Sequence, residues 1–317
     1  MRNSDAIRKR PVSGLCENSD VMKKRKRGLF IVSFLAPAVL IYGVMVVLPL
    51  LQSFAFSTTQ WSGLSLHKKY VGSDNFATLA HDQVFWQAVR NNLTLFVVGG
   101  AVILALAVAI AHGLQTGGRI SRTLRSVVLF PQMISLVAVA VMWLFIFNPQ
   151  FGILTSLLTA VGLGGWVHTW LGEPGTALPS VGVAFAWYAI GFYIMLFAAG
   201  LKTIPADIYE AAELDGAIGI RRFWRVTWPM LWSVKRIAVV HMAITVVNIF
   251  ALVLLMTQGG PDRATEMMLT YLYERAFNDN EFGYATAIAV ANFIVVMLLA
   301  LGILLAFRRD PAERRTA

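Results

Sequence analysis

The sequence has little of two things on which soluble proteins usually depend: cysteine for cross-linking and charge for a hydrated surface. Cys16 is the single cysteine among 317 residues, which excludes an intramolecular disulfide and a metal site built from several cysteines. Only 14% of the residues are charged, against about 25% in an ordinary soluble domain, and 57% are hydrophobic. So apolar a chain could not cover itself with polar groups in water, which excludes an ordinary soluble enzyme.

Long stretches of the chain also lack acidic and basic residues altogether. A helix needs about 20 apolar residues to cross a bilayer, and six runs of about that length carry no Asp, Glu, Lys or Arg in their interior. These runs are 29–51, 93–114, 126–147, 179–201, 237–256 and 284–307. They are apolar all round rather than on one face, which is typical of spanning helices. The sequence therefore predicts an all-α integral membrane protein with six transmembrane helices.

The first apolar run follows a basic cluster at residues 23–27, so a secretory signal peptide has to be considered. The run is longer than the roughly 7–15 apolar residues of a signal peptide, and no clear small-residue cleavage site follows it. We therefore predict an uncleaved membrane anchor. A specific site for anionic lipid is the alternative role for the basic cluster.

The basic residues are divided unevenly between the loops. With six spans, 22 of the 27 Lys and Arg residues fall on one side of the membrane, among them Arg119, Arg122 and Arg125, and 5 fall on the other. Cytoplasmic loops are enriched in Lys and Arg, so both termini are predicted to be cytoplasmic. The formal net charge of +10 then divides into +13 inside and −3 outside. The excess is an orientation signal, and no basic segment forms a domain of its own that would bind nucleic acid.

Three predicted outer segments, 57–92, 148–178 and 257–283, separate the spans. Residues 82–91 predict a helix that lies on or enters the membrane surface before the second span. Residues 258–261, Gln-Gly-Gly-Pro, predict a turn that closes the fifth span, because glycine allows positive φ and proline fixes the next step.

The longest predicted cytoplasmic connection, residues 202–236, has a pattern of its own. Pro205 and Asp207 suit the start of a short helix, and Gly216 suits a left-handed residue that ends it. A second short helix is predicted from Ile220 to Thr227, stopping before Pro229. From these residues alone, two interpretations stay open: a surface on which a soluble partner docks, or an amphipathic loop lying on the membrane.

A motif in this loop resembles a known family. Its residues are Glu210, Ala211, Ala212, Gly216, Val226, Trp228 and Pro229. The spacing is that of the EAA motif, so the chain resembles the permease subunit of a binding-protein-dependent ABC importer; Trp228 departs from the usual leucine but stays apolar. Further matches are to the carbohydrate-uptake branch, in particular its maltose-permease-like first subunit: residues 70–72, 75–76, 85–86, 91–92, 200–205, 257–261 and 270–273. The resemblance covers about residues 29–307.

The resemblance implies a mechanism and a set of partners. Two permease subunits would form a heterodimer around one path, a cytoplasmic ABC ATPase dimer would dock on the coupling helix at about residues 206–216, and an extracytoplasmic sugar-binding protein would deliver the substrate. The implied coupling residues are Glu210, Ala211, Ala212, Asp215, Gly216, Arg221 and Pro229. The chain has no Gly-rich phosphate loop, so no cofactor is expected on it, and ATP and Mg would lie in the ATPase. The chain is then a transport subunit of the bacterial inner membrane rather than an enzyme.

Polar and aromatic residues within the spans are candidates for the substrate path. They are Gln132, Ser135, Tyr188, Tyr193, Asn248 and Asn292. Amides and rings without fixed charge suit a neutral sugar, although each candidate has an alternative role in hydrogen bonding or packing between helices. His112 and His241 are expected to be interfacial.

Two other classes of membrane protein are alternatives to this interpretation. An ion-coupled secondary transporter usually carries ionisable residues within the membrane, and a membrane-embedded enzyme needs clustered acids or a metal-binding set. The six runs have no acidic residue in their interior. A sodium site built from carbonyls and amides stays open, as does an ABC permease for a solute other than a sugar. The predicted organisation is a basic tail (1–28), a transmembrane domain (29–307) that contains the 202–236 loop, and a C-terminal tail (308–317).

Overall fold

The computed structural model describes residues 31, 33–65, 67–116, 123 and 126–308. The basic cluster at 23–27, Cys16, Arg119, Arg122 and Arg125 lie outside the described residues, as does the predicted C-terminal tail beyond Arg308. The described residues fall into two compact units, one that ends at Ala55 and one that begins at Phe56.

The described residues are almost entirely helical. The helices are α1 (Ser33–Phe56), α2 (Asp74–His81), α3 (Gln83–Gly113), α4 (Ser126–Met133), α5 (Leu136–Ile146), α6 (Ile153–Ala160), α7 (Pro174–Lys202), α8 (Ala206–Leu214), α9 (Gly219–Met230), α10 (Trp232–Val247), α11 (Ala251–Met256), α12 (Met268–Asn278) and α13 (Phe282–Ala306). Two of the longer helices, α1 and α3, contain a π turn, as do α9 and the end of α12: Gly43–Val47, Leu95–Gly99, Phe223–Thr227 and Glu274–Asn278. Two short strands, β1 (Thr59–Gln60) and β2 (Lys69–Tyr70), pair antiparallel.

Four described helices, α1, α3, α7 and α13, are long and apolar enough to cross a membrane. Two further candidates are bent pairs, α4 with α5 at 103° and α9 with α10 at 71°. The prediction of an all-helical protein with several apolar spans is confirmed, with four to six candidates in the described part of the chain.

The second span starts earlier than predicted. Residues 83–94 are the first part of α3 itself, so the helix predicted at 82–91 is present and runs without a break into the second span. Asp82 caps this helix by accepting hydrogen bonds from the backbone N–H groups of Val84 and Phe85, at 2.8 and 3.2 Å. No proline follows within 83–113, and the helix continues through 31 residues.

The third predicted run, 126–147, is broken rather than straight. Pro131 lies in the 3₁₀ turn that ends α4, and Ile134 and Ser135 are extended, with ψ of 143° and 135°. Proline lacks the N–H that would continue the helix. The break falls at the polar residues of the run, Gln132 and Ser135, although the two helices taken together are still apolar enough for a spanning segment.

The fifth predicted run, 237–256, is also interrupted. The helix α10 begins at Trp232 and ends at Val247, and α11 starts only at Ala251. The Asn248 side chain donates to the Ile244 carbonyl at 2.8 Å, and the Asn92 side chain donates to the Val246 carbonyl at 3.0 Å. These amides satisfy carbonyl groups where the helix ends.

The loop helices differ from the prediction at one end. The second of them, α9, does not stop before Pro229 but continues to Met230. Its π turn, Phe223–Thr227, ends two residues before Pro229. A widened turn relieves the clash that a proline ring has with the preceding turn of an α-helix.

Two apolar clusters hold the second unit together. The larger packs side chains of α3, α5, α7, α10 and α11, and the smaller packs α2, the start of α3, α12 and α13 with the end of α10. Glycines allow two close approaches that matter for the site. A Cβ at Gly191 in α7 would lie 2.3 Å from the Val128 carbonyl oxygen of α4, and one at Gly200 would lie 2.5 Å from Val234 of α10.

Candidate functional site

The helix α8 carries most of the EAA motif on an exposed surface. Pro205 precedes its first turn and Asp207 lies in that turn, as predicted from the sequence. Glu210 and Ala211 are exposed, whereas Ala212 is buried. The side of α8 with Glu210 is therefore accessible to another protein, while Ala212 packs inward.

Gly216 ends α8 in the left-handed conformation that the sequence predicted. Its φ is +73°, its N–H donates to the Glu213 carbonyl at 3.0 Å, and the Ala217 N–H donates to the Ala212 carbonyl at 2.8 Å. This pair of bonds is a Schellman motif, in which glycine adopts positive φ at no steric cost. Asp215, at the C-cap, is exposed.

The helices α8 and α9 are tied to each other and to the apolar core. Arg222 pairs with Glu213, and its guanidinium lies 5.2 Å from the centre of the Tyr209 ring. Phe223 is buried in the larger cluster, and Tyr209 and Trp228 pack against it. The sequence singled out Arg221, which is exposed, and Pro229, which is half-buried; the pairing of Arg222 was not foreseen.

The two loop helices contact the spans at two places. The His112 ring, near the end of α3, lies 5.1 Å from the Phe223 ring. The ammonium group of Lys235 in α10 donates to the Trp228 carbonyl at 2.8 Å and lies 4.2 Å from the centre of that residue's ring. A displacement of α8 and α9 would thus be felt by α3 and α10.

Three of the candidates for the substrate path, Tyr193, Asn248 and Asn292, take part in two hydrogen-bonded pairs. The Asn292 amide of α13 donates to the Asn248 side-chain oxygen at 3.2 Å. The Tyr193 hydroxyl of α7 lies 3.1 Å from Nδ1 of His241 in α10. No hydrogen bond joins Gln132 or Tyr188 to these pairs within the described residues; Gln132 is half-buried in the last turn of α4, and Tyr188 packs against the larger cluster.

His241 was missed as a candidate for the path. It is exposed and stacks on the Phe192 ring at 4.4 Å between centroids. A signal was present in the sequence, since Thr245 and Asn248 follow it at positions that share one helix face.

Asn91 and Asn92, two residues quoted for the family resemblance, hold the 257–267 segment in place. The Asn91 amide donates to the Glu266 carbonyl at 2.9 Å. The Asn92 side chain donates to the Val246 carbonyl and accepts from the Met268 N–H, both at 3.0 Å. Both asparagines are buried, so one pair of amides connects α3 to the end of α10 and the start of α12.

The predicted turn at residues 258–261 is present. Gln258 and Gly259 both have positive φ, 51° and 84°, and the Gly260–Pro261 peptide is cis. A Cβ at Gly259 would lie 2.5 Å from the Glu266 carboxylate. Glycine is therefore needed here both for its conformation and for the space that the carboxylate takes.

Beside this turn lies an ion-pair network. Arg263 donates to both oxygens of Glu274, at 2.6 and 2.7 Å, and to Glu266 at 2.9 Å. The hydrogen bonds from Arg263 hold the pKa of Glu274 below its ordinary value, whereas burial raises the pKa of Glu266. The network lines a polar cavity of about 660 Å³.

A second cluster joins the start of α3 to α12 and α13. Asp82 accepts hydrogen bonds from the hydroxyl groups of Tyr271 and Tyr284, and the Arg275 Nε donates to the Tyr271 hydroxyl at 3.0 Å. Burial raises the pKa of Asp82, but the hydrogen bonds from the two tyrosines and the two backbone N–H groups outweigh it and hold that pKa below its ordinary value.

Comparison with known proteins decides the family. The model of the family described as binding-protein-dependent transport system inner membrane component matches residues 100–310. The chain belongs to this family. Its resemblance to an importer permease is thereby confirmed, and it is a transport subunit of a multi-pass membrane system.

Two curated relatives resemble this family member over most of their length. YurN, a probable ABC transporter permease of Bacillus subtilis, is 35% identical over 84% of this chain and 92% of its own. NgcF, a diacetylchitobiose uptake system permease of Streptomyces coelicolor, is 32% identical over 86% of this chain and 81% of its own. A solved bacterial ABC transporter involved in import of the acidic polysaccharide alginate shares the fold, with a TM-score of 0.77 at 22% identity over 92% of this chain and 99% of that one.

Proposed function

We propose that the chain is a permease subunit of an ABC importer and forms, with a second permease, the path by which a sugar crosses the cytoplasmic membrane. The sugar is an oligosaccharide, a disaccharide or a related polyol. Family membership supports the transport role, and the relative NgcF, named for diacetylchitobiose uptake, supports the sugar class. Both bent pairs would cross the membrane, giving six spans with both termini in the cytoplasm.

The observation that carries the proposal is the construction of the 202–236 loop. An exposed short helix, α8, follows the long helix α7, ends at Gly216 and is tied to α9 through Arg222 and Glu213. The side chains of Leu214, Ile218 and Ile220 are 90%, 68% and 74% exposed. Apolar side chains this exposed beside charged ones suit a surface that a soluble partner covers.

In this proposal an ABC ATPase dimer docks on α8, and Glu210, Ala211, Asp215 and Arg221 face it. Ala212, Gly216 and Pro229 shape the backbone behind that surface. ATP and Mg lie in the ATPase, and this chain binds no cofactor. A sugar-binding protein delivers the substrate on the outer side. The basic tail (1–28) and the residues from 308 onward lie on the ATPase side of the 29–307 transmembrane domain.

Reversing the charge of Glu210 tests the docking surface. The complex is purified from native membranes through a tag on this chain, reconstituted with its binding protein, and assayed for ATP hydrolysis with maltose, xylose and diacetylchitobiose. We expect Glu210→Lys to reduce sugar-stimulated ATP hydrolysis and uptake at least tenfold while the chain stays in the membrane. Asp74→Lys, which reverses an exposed acid in the first turn of α2, is the matched control.

Two outcomes would contradict the proposal. Uptake by Glu210→Lys at the parental ATP-dependent rate would show that the ATPase does not dock on the face of α8 that carries Glu210. Uptake by the parent complex that follows an ion gradient and needs no ATP would instead support a secondary transporter.

A further inference from the structure

The part of α10 that follows Arg236 is apolar except for a polar stripe. His241, Thr245 and Asn248 are spaced at i, i+4 and i+7, so they lie on one face of the helix. His241 and Asn248 are exposed and Thr245 is half-buried. At a rise of about 1.5 Å per residue, His241 lies about 6 Å and Asn248 about 16 Å from Ile237, where the apolar run begins, so the stripe extends from the inner part of the span to about the middle of a bilayer core of about 30 Å.

A stripe of this kind is costly where it faces lipid. Ionisable residues within spans almost always face the interior of a bundle or a water-filled cavity, and polar side chains in hydrocarbon lack the hydrogen bonds that water would give them. The stripe does not face the interior of this chain, since His241 and Asn248 are exposed. The stripe therefore faces either a water-filled path or a partner subunit.

The His241 ring is held in place by two aromatic residues of α7. Its Nδ1 lies 3.1 Å from the hydroxyl of Tyr193, which is 1% exposed, and its face stacks on Phe192 at 4.4 Å. The Thr245 hydroxyl donates to the His241 carbonyl at 2.8 Å. Within the described residues the other ring nitrogen, Nε2, has no hydrogen-bond partner. One ring edge is thus fixed and the opposite edge is presented outward.

Asn248, at the other end of the stripe, is also held by hydrogen bonds, one of them from α13. The Asn292 amide donates to the Asn248 side-chain oxygen, and the Asn248 amide donates to the Ile244 carbonyl. Three helices, α7, α10 and α13, therefore orient polar groups on one exposed face.

We propose that this stripe lines the translocation path and that His241, oriented by Tyr193, donates or accepts a hydrogen bond at a hydroxyl group of the passing solute. An oriented imidazole edge lies here next to the Phe192 ring and the Thr245 hydroxyl group. This arrangement suits a polyhydroxylated, neutral solute, because such a solute offers both hydrogen-bonding groups and C–H faces. The contact of His241 with the solute rests on the proposed sugar transport, whereas the assignment of the stripe to the path does not.

Access of water to the stripe is measured first. In the assembled complex in native membranes, with Cys16→Ser as background, Thr245→Cys and Asn248→Cys are treated with a charged, membrane-impermeant methanethiosulfonate reagent. Val102→Cys and Leu298→Cys, at exposed apolar positions of α3 and α13, are the controls. We expect the stripe cysteines to react at least tenfold faster than the controls, and equal rates would overturn the path assignment.

Contact with the solute is measured next, by uptake of radiolabelled maltose, xylose and diacetylchitobiose at varied concentration. We expect His241→Leu to raise the half-saturating concentration about tenfold, Tyr193→Phe to raise it about threefold through loss of orientation, and His241→Gln to retain most of the affinity. An unchanged half-saturating concentration in His241→Leu would overturn the contact. If the parent complex takes up none of these sugars while the stripe reacts, the proposed sugar class fails and the path assignment stands.

Discussion

Single side chains in this protein connect helices that lie far apart in sequence. Asn92 hydrogen-bonds to Val246 and Met268, and Asp82 hydrogen-bonds to Tyr271 and Tyr284, so two residues at the start of α3 fix helices that follow more than 150 positions later. Such bonds can be strong where water is scarce, and each removed partner leaves a buried polar group unsatisfied.

Asp82 should make the stability of the protein depend on pH. Its pKa is lower in the folded chain than its ordinary value of 3.8, so its contribution is complete above that value and is lost as the pH falls through the folded pKa. We expect Asp82→Asn to lower the free energy of unfolding by about 1–3 kcal/mol at pH 7, because the Tyr271 and Tyr284 hydroxyls lose their charged acceptor. The difference between parent and variant should shrink as the pH falls below 3.8 and through the lowered pKa of the folded state.

Thermal unfolding of the purified complex in detergent, followed over this pH range, measures the effect of Asp82. Tyr284→Phe removes only one of the two hydroxyl donors and should give a smaller loss. A pH profile of Asp82→Asn parallel to that of the parent would show that the carboxylate is not the titrating group.

At the scale of elements, the apolar runs could be predicted and their breaks could not. Residues 284–307 became α13 with nearly the predicted bounds, because a long run without polar residues suffices for a spanning helix. The break at Asn248 depends on the Asn92 amide from another helix. The pattern of residues along the chain does not indicate a hydrogen bond between residues so far apart in sequence.

In the candidate site, too, local features could be predicted from the sequence and long-range contacts could not. The turn at Gly216 and the start of α8 follow from local chemistry, so the sequence predicted them. The pairing of Tyr193 with His241 brings together positions 48 residues apart. The sequence contained both residues, but nothing local indicated that they meet, and His241 was therefore expected at the interface.

Lys235 should stabilise the 71° bend between α9 and α10. The last carbonyls of a helix lack intrahelical partners, and the Lys235 ammonium group supplies one to Trp228 from a position that is 8% exposed. We expect Lys235→Met to make the backbone amides of residues 231–235 exchange with deuterium about tenfold faster, corresponding to about 1.4 kcal/mol.

Hydrogen–deuterium exchange followed by mass spectrometry measures the effect of Lys235, and Lys235→Arg, which keeps a cationic donor, is the matched variant. Exchange in Lys235→Met at the parental rate would show that the bend is held by the packing of Leu231 and Trp232 alone.

At the scale of the whole molecule, the two bent pairs set how many times the chain crosses the membrane. The number of crossings decides on which side the α8 surface lies. If α4 with α5 and α9 with α10 each cross, α8 and both termini lie in the cytoplasm. If neither pair crosses, the termini stay in the cytoplasm but α8 lies outside, where no ATPase could reach it. The distribution of Lys and Arg favours six crossings, because it places the arginines of α9 inside.

Cysteine labelling distinguishes these two topologies. In the Cys16→Ser background, intact spheroplasts are treated with an impermeant maleimide before and after permeabilisation. Thr78, Leu214 and Phe277 are exposed and lie in the segments after α1, α7 and α10. We expect Thr78→Cys and Phe277→Cys to react in intact spheroplasts and Leu214→Cys only after permeabilisation, since each of the six crossings reverses the side. Reaction of all three in intact spheroplasts would mean four crossings, and the proposed docking of an ATPase on α8 would then be wrong.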